Sequence, residues 1–485
     1  MTKLLKLILP LAVMLSAFSG CNNIVKDNSQ SSQETTSQTA SETVSETTAS
    51  QTEAKKELKG DMTIKKAYKL PDLGFKIGYE FPYLVGSKII SGVRTGEALI
   101  NYTFNDEFGE YNIGFYPIDI VVTDAITGEQ NIIYSDVMQD SYFIIPGNDE
   151  KTAYLLYFEK ANMVDTSEVK SIEDVTKHRR VIKIDLINMT YKELDFSKYE
   201  GTRILINPLG ENKLIITQFK EFPVTDKDFE GRNVEFSYED STVESRTIDI
   251  MDLDSGEVKN FYYDKMDEFK IIPGEKKIDS IRTCYYDSMT IFYTEELTAE
   301  NTYKLEIQVY DENMNLIYED VVDSIDNYKD GDFIDISSGA CNGDIYVSWN
   351  KCKSDGTDYY ADRIYYKKGN TYEKSQPKIR TKANGGYYQY TTKTHPEFNY
   401  GIDQLTDDTN TSTQLKLYNY CTEEELFLDI DVEGFKTPKL ITHSWIENHD
   451  GSGNMLIVGN GSDRENNLEF WFVPKEEIKR ALYGE

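Results

Sequence analysis

Side chains able to do catalytic chemistry are few in this chain of 485 residues. Only four histidines occur, His178, His395, His443 and His449. No HExxH, GxSxG, SxxK, Walker loop or GxGxxG stands in a strand-to-helix setting, so the common hydrolase, NTPase and dinucleotide machinery is not expected. The 84 acidic residues are numerous enough for two carboxylates to meet in the fold, but spacing along the chain does not reveal such a pair. The run Asn448-His449-Asp450-Gly451-Ser452-Gly453-Asn454 has the oxygen ligands and glycines of a calcium loop. It lacks the terminal bidentate glutamate of an EF-hand and falls where two strands must be joined, so it reads as a turn, with structural calcium as the alternative. Asp330-Gly331-Asp332 and Ser354-Asp355-Gly356-Thr357-Asp358 read the same way. No other cofactor or metal is expected. Cys284, Cys341, Cys352 and Cys421 are irregularly spaced without a CxxC, which indicates neither a zinc site nor a disulfide framework. Cys341 and Cys352 fall at opposite ends of one predicted strand, where about ten residues at ~3.3 Å each exceed the ~7 Å bridging limit.

Binding chemistry is better represented. Four long connections, Asn105 to Tyr116, Glu159 to Arg180, Lys220 to Arg246 and Asn350 to Arg363, separate apolar segments. They carry Phe108, Tyr111, Phe222, Phe229, Tyr238, Tyr359 and Tyr360 among the acids Asp226, Asp228, Asp355 and Asp358. Aromatic rings on long loops over a rigid scaffold supply the flat, amphipathic faces that recognise sugars or protein hot spots.

The elements that must position these loops are strands. From residue 59 to 485, Tyr and Phe are abundant, Ile and Val recur in short runs, and Gly, Asn and Asp punctuate them. Strand, Pro/Gly turn, strand is repeated at Phe143 to Gly147 with Ala153 to Phe158, at Ile204 to Gly210 with Lys213 to Ile216, and at Phe269 to Gly274 with Met289 to Tyr293. Weaker copies stand at Ile89 to Gly92 with Ala98 to Tyr102, Phe333 to Ile336 with Asp344 to Trp349, Tyr387 to Tyr390 with Phe398 to Ile402, and Leu440 to Thr442 with Met455 to Val458. Taking Ile90, Ile145, Ile206, Ile272, Ile336, Tyr390 and Ile441 as equivalent gives seven units spaced 51 to 66 residues apart. A second hairpin follows in each, turning at Ala125 to Glu129, Asn188 to Thr190, Asp252 to Glu257, Asn313 to Asn315, Lys368 to Asn370 and Cys421 to Glu423.

The turns DAITGE and DLDSGE resemble outer hairpins of β-propeller blades, and the resemblance covers most of residues 85 to 475, although neither a WD/GH signature nor an Asp-box is present. It implies an all-β fold: a propeller of seven four-stranded blades, with the apolar inner strands stacked face to face and the four long connections on one face. A pair of β-sandwiches is the competing architecture. The seventh unit lacks an outer strand, which Met62 to Tyr68 is expected to supply, latching the ends together.

The N-terminus has its own chemistry. Lys3 and Lys6 precede an apolar run from Leu7 to Phe18, too short to span a bilayer core that needs ~20 residues, and Ser19-Gly20-Cys21 follows. This resembles the lipobox of bacterial lipoproteins, with Phe18 where Leu is usual. The resemblance implies a signal peptide over residues 1–20 and a diacylglycerol on Cys21, which would hold the protein at the outer face of the cytoplasmic membrane. The rest of 21–58 is mostly Ser, Thr, Gln, Glu and Ala and reads as a disordered tether. About 36 flexible residues span roughly 30 to 35 Å.

Formal net charge is −32. Such acidity repels nucleic acid and anionic headgroups and leaves the lipid on Cys21 as the expected membrane contact. A protein or glycan partner is expected, and a monomer. The sequence therefore supports a lipid-anchored binding or scaffold module, with an envelope glycan hydrolase or lyase acting at the propeller mouth as the alternative.

Overall fold

The computed structural model describes residues 58–74, 82–97, 100–106, 109–138, 142–147, 149–158, 179–200, 202–223, 242–266, 274, 276–284, 289–329, 331–341, 343–356, 359–380, 394–395, 400–406, 413–419, 424–436, 446–447, 453–459 and 468–485. Two short strands come first, β1 (Thr63–Ile64) and β2 (Tyr68–Lys69). Blade 1 contains β3 (Tyr83–Val85), β4 (Lys88–Arg94), β7 (Pro117–Asp124) and β8 (Gln130–Met138), with the separate hairpin β5 (Ile100–Asp106) and β6 (Gly109–Phe115) inserted after β4. Blade 2 is β9 (Phe143–Pro146), β10 (Thr152–Phe158), β11 (Arg179–Asp185) and β12 (Thr190–Leu194). Blade 3 is β13 (Arg203–Leu209), β14 (Lys213–Pro223), β15 (Thr242–Asp252) and β16 (Val258–Met266). Blade 4 is β17 (Lys276–Cys284), β18 (Met289–Leu297), β19 (Thr302–Tyr310) and β20 (Leu316–Asp326). Blade 5 is β21 (Phe333–Cys341), β22 (Asp344–Cys352), β23 (Tyr359–Lys368) and β24 (Thr371–Lys374), with β25 (Lys378–Arg380) also on β23. Blade 6 is β26 (Thr394–His395), β27 (Tyr400–Thr406), β28 (Thr413–Asn419) and β29 (Glu424–Ile430), and blade 7 begins β30 (Ile446–Glu447), β31 (Met455–Gly459), β32 (Glu469–Val473). Helix α1 (Lys475–Tyr483) ends the chain.

These seven sheets form a ring. The first strands of successive blades lie side by side, β9 with β13, β13 with β17, and β21 with β26, so they surround a common axis. Each apolar cluster draws on two neighbouring blades: Ile120 and Val122 with Leu155 and Ile182; Leu156 with Ile206 and Leu214; Ile215 and Ile248 with Phe292; Ile307 with Val347 and Trp349. Across the seam, Leu456 and Phe472 of blade 7 meet Leu84 and Ile89 of blade 1. The protein is a β-propeller, as the repeat predicts.

The seam is closed from both ends of the chain. Tyr68 and Lys69 pair antiparallel with Phe472 and Trp471, supplying the outer strand that blade 7 lacks. The latch is nevertheless split: Thr63 and Ile64 pair in parallel with Asp429 and Ile430 and give blade 6 a fifth strand. Ile64 is fully buried against Leu428, Ile457, Ile478 and Leu482.

The assignment of strands differs from expectation in three places. Ile90 lies in β4, the second strand of its blade, and β3 is the inner one. Ile100 to Tyr102 pairs with Ile113 to Phe115 in the inserted hairpin and not with the Ile89 run. The partner of β18 is Lys276–Cys284, downstream of the expected Phe269 to Gly274, whose residues 269–273 lie outside the described ones. The physical reason is common to the first two. A second strand has neighbours on both edges and a blade on each face, so continuous apolar burial marks it best: β31 is buried throughout and β18 over six residues. Inner strands β13 and β21 instead alternate. Of the other positions taken as equivalent, Ile145, Ile206 and Ile336 lie on the inner strands β9, β13 and β21, while Tyr390 and Ile441 are outside the described residues.

Candidate functional site

Antiparallel strands send every connection between second and third strands to one end of the ring. Blades 1, 2 and 3 have long connections there, since β4 is separated from β7 by a hairpin, β10 ends at Phe158 with β11 starting at Arg179, and β14 ends at Pro223 with β15 starting at Thr242. Blades 4 and 5 are different: β18 to β19 spans Leu297 to Thr302, and β22 to β23 spans Cys352 to Tyr359. Those short turns are stiffened by hydrogen bonds. The Asn301 side-chain amide donates to the Tyr328 carbonyl at 3.0 Å, and the buried Asp332 accepts from the Ser354 amide at 2.7 Å and the Lys329 amide at 2.9 Å. The end is therefore asymmetric, with a rigid side over blades 4 and 5 and the long connections over blades 1 to 3.

Of the residues singled out on these connections, Phe108, Asp226, Asp228, Phe229, Tyr238 and Asp358 lie outside the described residues. Tyr111 belongs to β6, opposite Phe104, and Phe222 to β14, opposite Val243, so both stand in strand ladders where loops were expected. Asp355 is exposed in the turn, 3.7 Å from the Lys353 ammonium. Tyr360, the second residue of β23, is half-buried opposite Asn350.

Tyr359 is not a projecting aromatic. Its hydroxyl donates to Oδ2 of Asp323 on blade 4, as does the Trp349 indole N–H at 2.7 Å, while the Lys351 ammonium reaches Oδ1 at 3.1 Å. Burial works to raise the Asp323 carboxyl, but these donors hold it below the usual range, and burial together with Asp323 pushes the Tyr359 hydroxyl up. Three residues earlier on β20, Asp320 accepts from Tyr365 at 3.2 Å and pairs with Lys374 at 2.6 Å and Arg363 at 3.4 Å. A second buried carboxylate, Asp249, is equally engaged, by Lys198 at 2.7 Å, Tyr199 at 3.0 Å and Asn260 at 3.0 Å. Carboxylates saturated with donors clamp blades together and are poorly suited to exchanging protons.

Asp335 has the opposite character. It lies on inner strand β21 and its side is exposed to water, yet desolvation pushes its carboxyl up. Among the described residues no group of three or more His, Cys, Asp or Glu could hold a metal. In the calcium-like run only Gly453 and Asn454 are described, and Asn454 is committed to protein: its Nδ2 donates to the Gly86 carbonyl at 2.9 Å and its Oδ1 accepts from the Lys475 amide at 3.0 Å. Cys341 and Cys352 end different strands of one hairpin, Cys341 opposite Asp344 and Cys352 opposite Phe333, and the length of the hairpin separates them.

A cavity of about 200 Å³ lies between blades 3 and 4 and was not legible from spacing, since its walls come from four strands. Phe261 and Tyr262 of β16 face Phe292 and Thr294 of β18, Gln308 and Tyr310 of β19, and Lys276 and Ile278 of β17. Phe261 and Phe292 stack with centroids 5.5 Å apart, and Tyr310 stands edge-on to both at 5.4 and 5.1 Å. The Tyr310 hydroxyl donates to Gln308 Oε1 at 3.2 Å. Thr294 is 3% exposed, and its hydroxyl has no hydrogen-bond partner among the described residues.

No family model and no curated protein matches this chain. Among solved structures it is similar to the β-propeller domain of the Trilobed protease from Pyrococcus furiosus, at 13% identity and TM-score 0.35 over 85% of this chain and 94% of that one. An α-L-arabinofuranosidase from Fusarium graminearum (10% identity, TM-score 0.29, 71% of this chain and 99% of that one) and the WD40 domain of SCAP from fission yeast (11%, 0.26, 78% and 69%) are also similar. These likenesses concern the fold alone.

Proposed function

We propose that this chain is a lipid-anchored binding module at the outer face of a bacterial cytoplasmic membrane, joined to lipid through Cys21 and to its propeller by the tether that follows. The observation that carries the binding role is the asymmetry of one end of the ring, where long stretches of chain join the second and third strands of three consecutive blades and short, hydrogen-bonded turns join those of blades 4 and 5. Loops on a closed scaffold vary without cost to the core, which is how such folds acquire partners. An envelope protein or glycan is the partner class, because the chain's acidity disfavours polyanions.

The test is a pull-down and glycan array with the full chain, beside a variant in which residues 225–240 are replaced by a short Gly/Ser linker. Loss of the captured partner with an unchanged melting temperature supports the reading; equal capture by both proteins overturns this face as the binding site. The enzymatic alternative has one favouring observation, Asp335, whose raised pKa on an inner strand suits a general acid. Turnover of a wall polysaccharide that disappears in Asp335→Asn would establish it.

A further inference from the structure

We propose that the cavity between blades 3 and 4 is a binding site for a single neutral sugar ring, distinct from the loop-bearing end. Size sets the first limit. At about 200 Å³ the cavity exceeds the ~150 Å³ that accommodates benzene and falls short of the ~300 Å³ at which drug-sized pockets begin. One six-membered ring with substituents fits.

Chemistry sets the second limit. Phe261, Phe292 and Tyr310 pack on one another, stacked and edge-on, and form an apolar wall of the cavity against which the C–H face of a pyranose can lie. A hydrocarbon would leave Thr294 as it is now, a buried hydroxyl with no partner among the described residues, which is unfavourable. The occupant must therefore carry groups that both donate and accept. Thr294 stands opposite Glu306 in the ladder, and Glu306 pairs with the Lys276 ammonium at 2.5 Å, so the charges nearest in the sheet neutralise each other. Gln308 adds an amide on the same wall. Lys276 is the one charged residue of the lining and its ammonium is already engaged by Glu306, so an anionic ligand would have to compete with that carboxylate, whereas neutral hydroxyls can bond to Thr294 and Gln308 without disturbing the pair.

Because the Thr294 hydroxyl bonds to nothing among the described residues, Thr294→Val separates binding from folding. The valine has the same shape and removes an unpaired polar atom, so its melting temperature should equal or exceed that of the parent. Saturation-transfer NMR and calorimetry on the full chain with methyl glucoside, methyl galactoside and N-acetylglucosamine should show binding of at least one, with transfer to its ring protons. Thr294→Val should weaken that binding roughly five- to tenfold, the worth of one hydrogen bond. Gln308→Leu is a second probe on a half-exposed position. No transfer to any of the three sugars, undiminished affinity in both variants, or binding of a tyrosine-containing peptide in their place would each overturn the proposal.

Discussion

The outer turns show how single residues shape each blade. Asp124 Oδ1 accepts from the Ile126 and Thr127 amides at 3.0 and 2.8 Å, and Asp252, Asp185 and Asp311 make the same pair of bonds to Asp254 and Ser255, Ile187 and Asn188, and Asn313 and Asn315. A left-handed residue then closes each turn, Gly128, Gly256, Met189 or Met314. Partial burial opposes ionisation of Asp124, yet the Lys88 ammonium and the turn amides hold its carboxyl down at about 2. Because the folded value is below the ~3.9 of an unfolded aspartate, the stabilisation is complete above that value and lost as pH falls through about 2. Asp124→Asn should cost about 1 kcal/mol at pH 7 in urea unfolding, and the gap from the parent should narrow steadily below pH 4. A gap independent of pH would mean that charge is irrelevant there. Asp323 has more partners and less water: Asp323→Ala leaves Lys351, Trp349 and Tyr359 short of an acceptor, and should cost about 2 kcal/mol by the same assay. The Gly-containing turns DAITGE and DLDSGE are legible in the sequence, because positive φ demands glycine or a close substitute. The aspartate that opens all four turns is also written there, at Asp124, Asp185, Asp252 and Asp311, but its role emerges only with the amides it faces. Asp323 could not be read at all, since its partners lie 26 to 36 residues downstream on another blade.

At the scale of elements, the decisive contact is the one between the two ends of the chain. Glu477 of α1 accepts from the Lys65 and Lys66 amides at 2.6 and 3.2 Å, Arg480 holds Glu477 at 2.8 Å, and Arg480 reaches Asp61 at 3.2 Å. The backbones approach so closely that a Cβ on Gly60 would lie 1.9 Å from the Ala481 carbonyl oxygen. Gly60→Ala should therefore unseat the segment before β1 from α1, read as faster amide exchange at Gly60 and Met62, which donate to Leu482 and Ala481 at 2.9 Å. Ile64→Ala removes a fully buried side chain from the blade 6 and 7 core and should cost about 3 kcal/mol. Stability unchanged by both would show that the seam holds without its latch. The missing outer strand of blade 7 was legible by counting strands. That the segment first crosses to blade 6 was not, because a two-residue strand such as Thr63–Ile64 carries no periodicity. The inner strand β3 was missed for a similar reason, being three residues long beside the apolar β4.

For the whole molecule, the ring sets two opposing electrostatic terms against each other. The chain's net charge is −32 and nearly all of it falls in the closed ring, where compaction brings like charges within mutual reach. Against this stand surface pairs such as Lys65 with Asp61 and Lys69 with Glu469, whose side chains are largely exposed and whose individual worth is about 0 to 1 kcal/mol. Salt screens both. Raising ionic strength from about 0.01 M to about 0.15 M shortens the screening length from ~30 to ~8 Å, which removes repulsion between distant carboxylates while leaving pairs at contact distance largely intact. The melting temperature should accordingly rise across that range, and fastest at the low end. The same measurement on a variant with Lys69→Gln and Lys88→Gln, with two ion pairs and two positive charges fewer, should give a lower melting temperature at every salt concentration and a steeper rise. A melting temperature that falls as salt is added would mean that the local pairs, and not the global charge, dominate the balance in this ring.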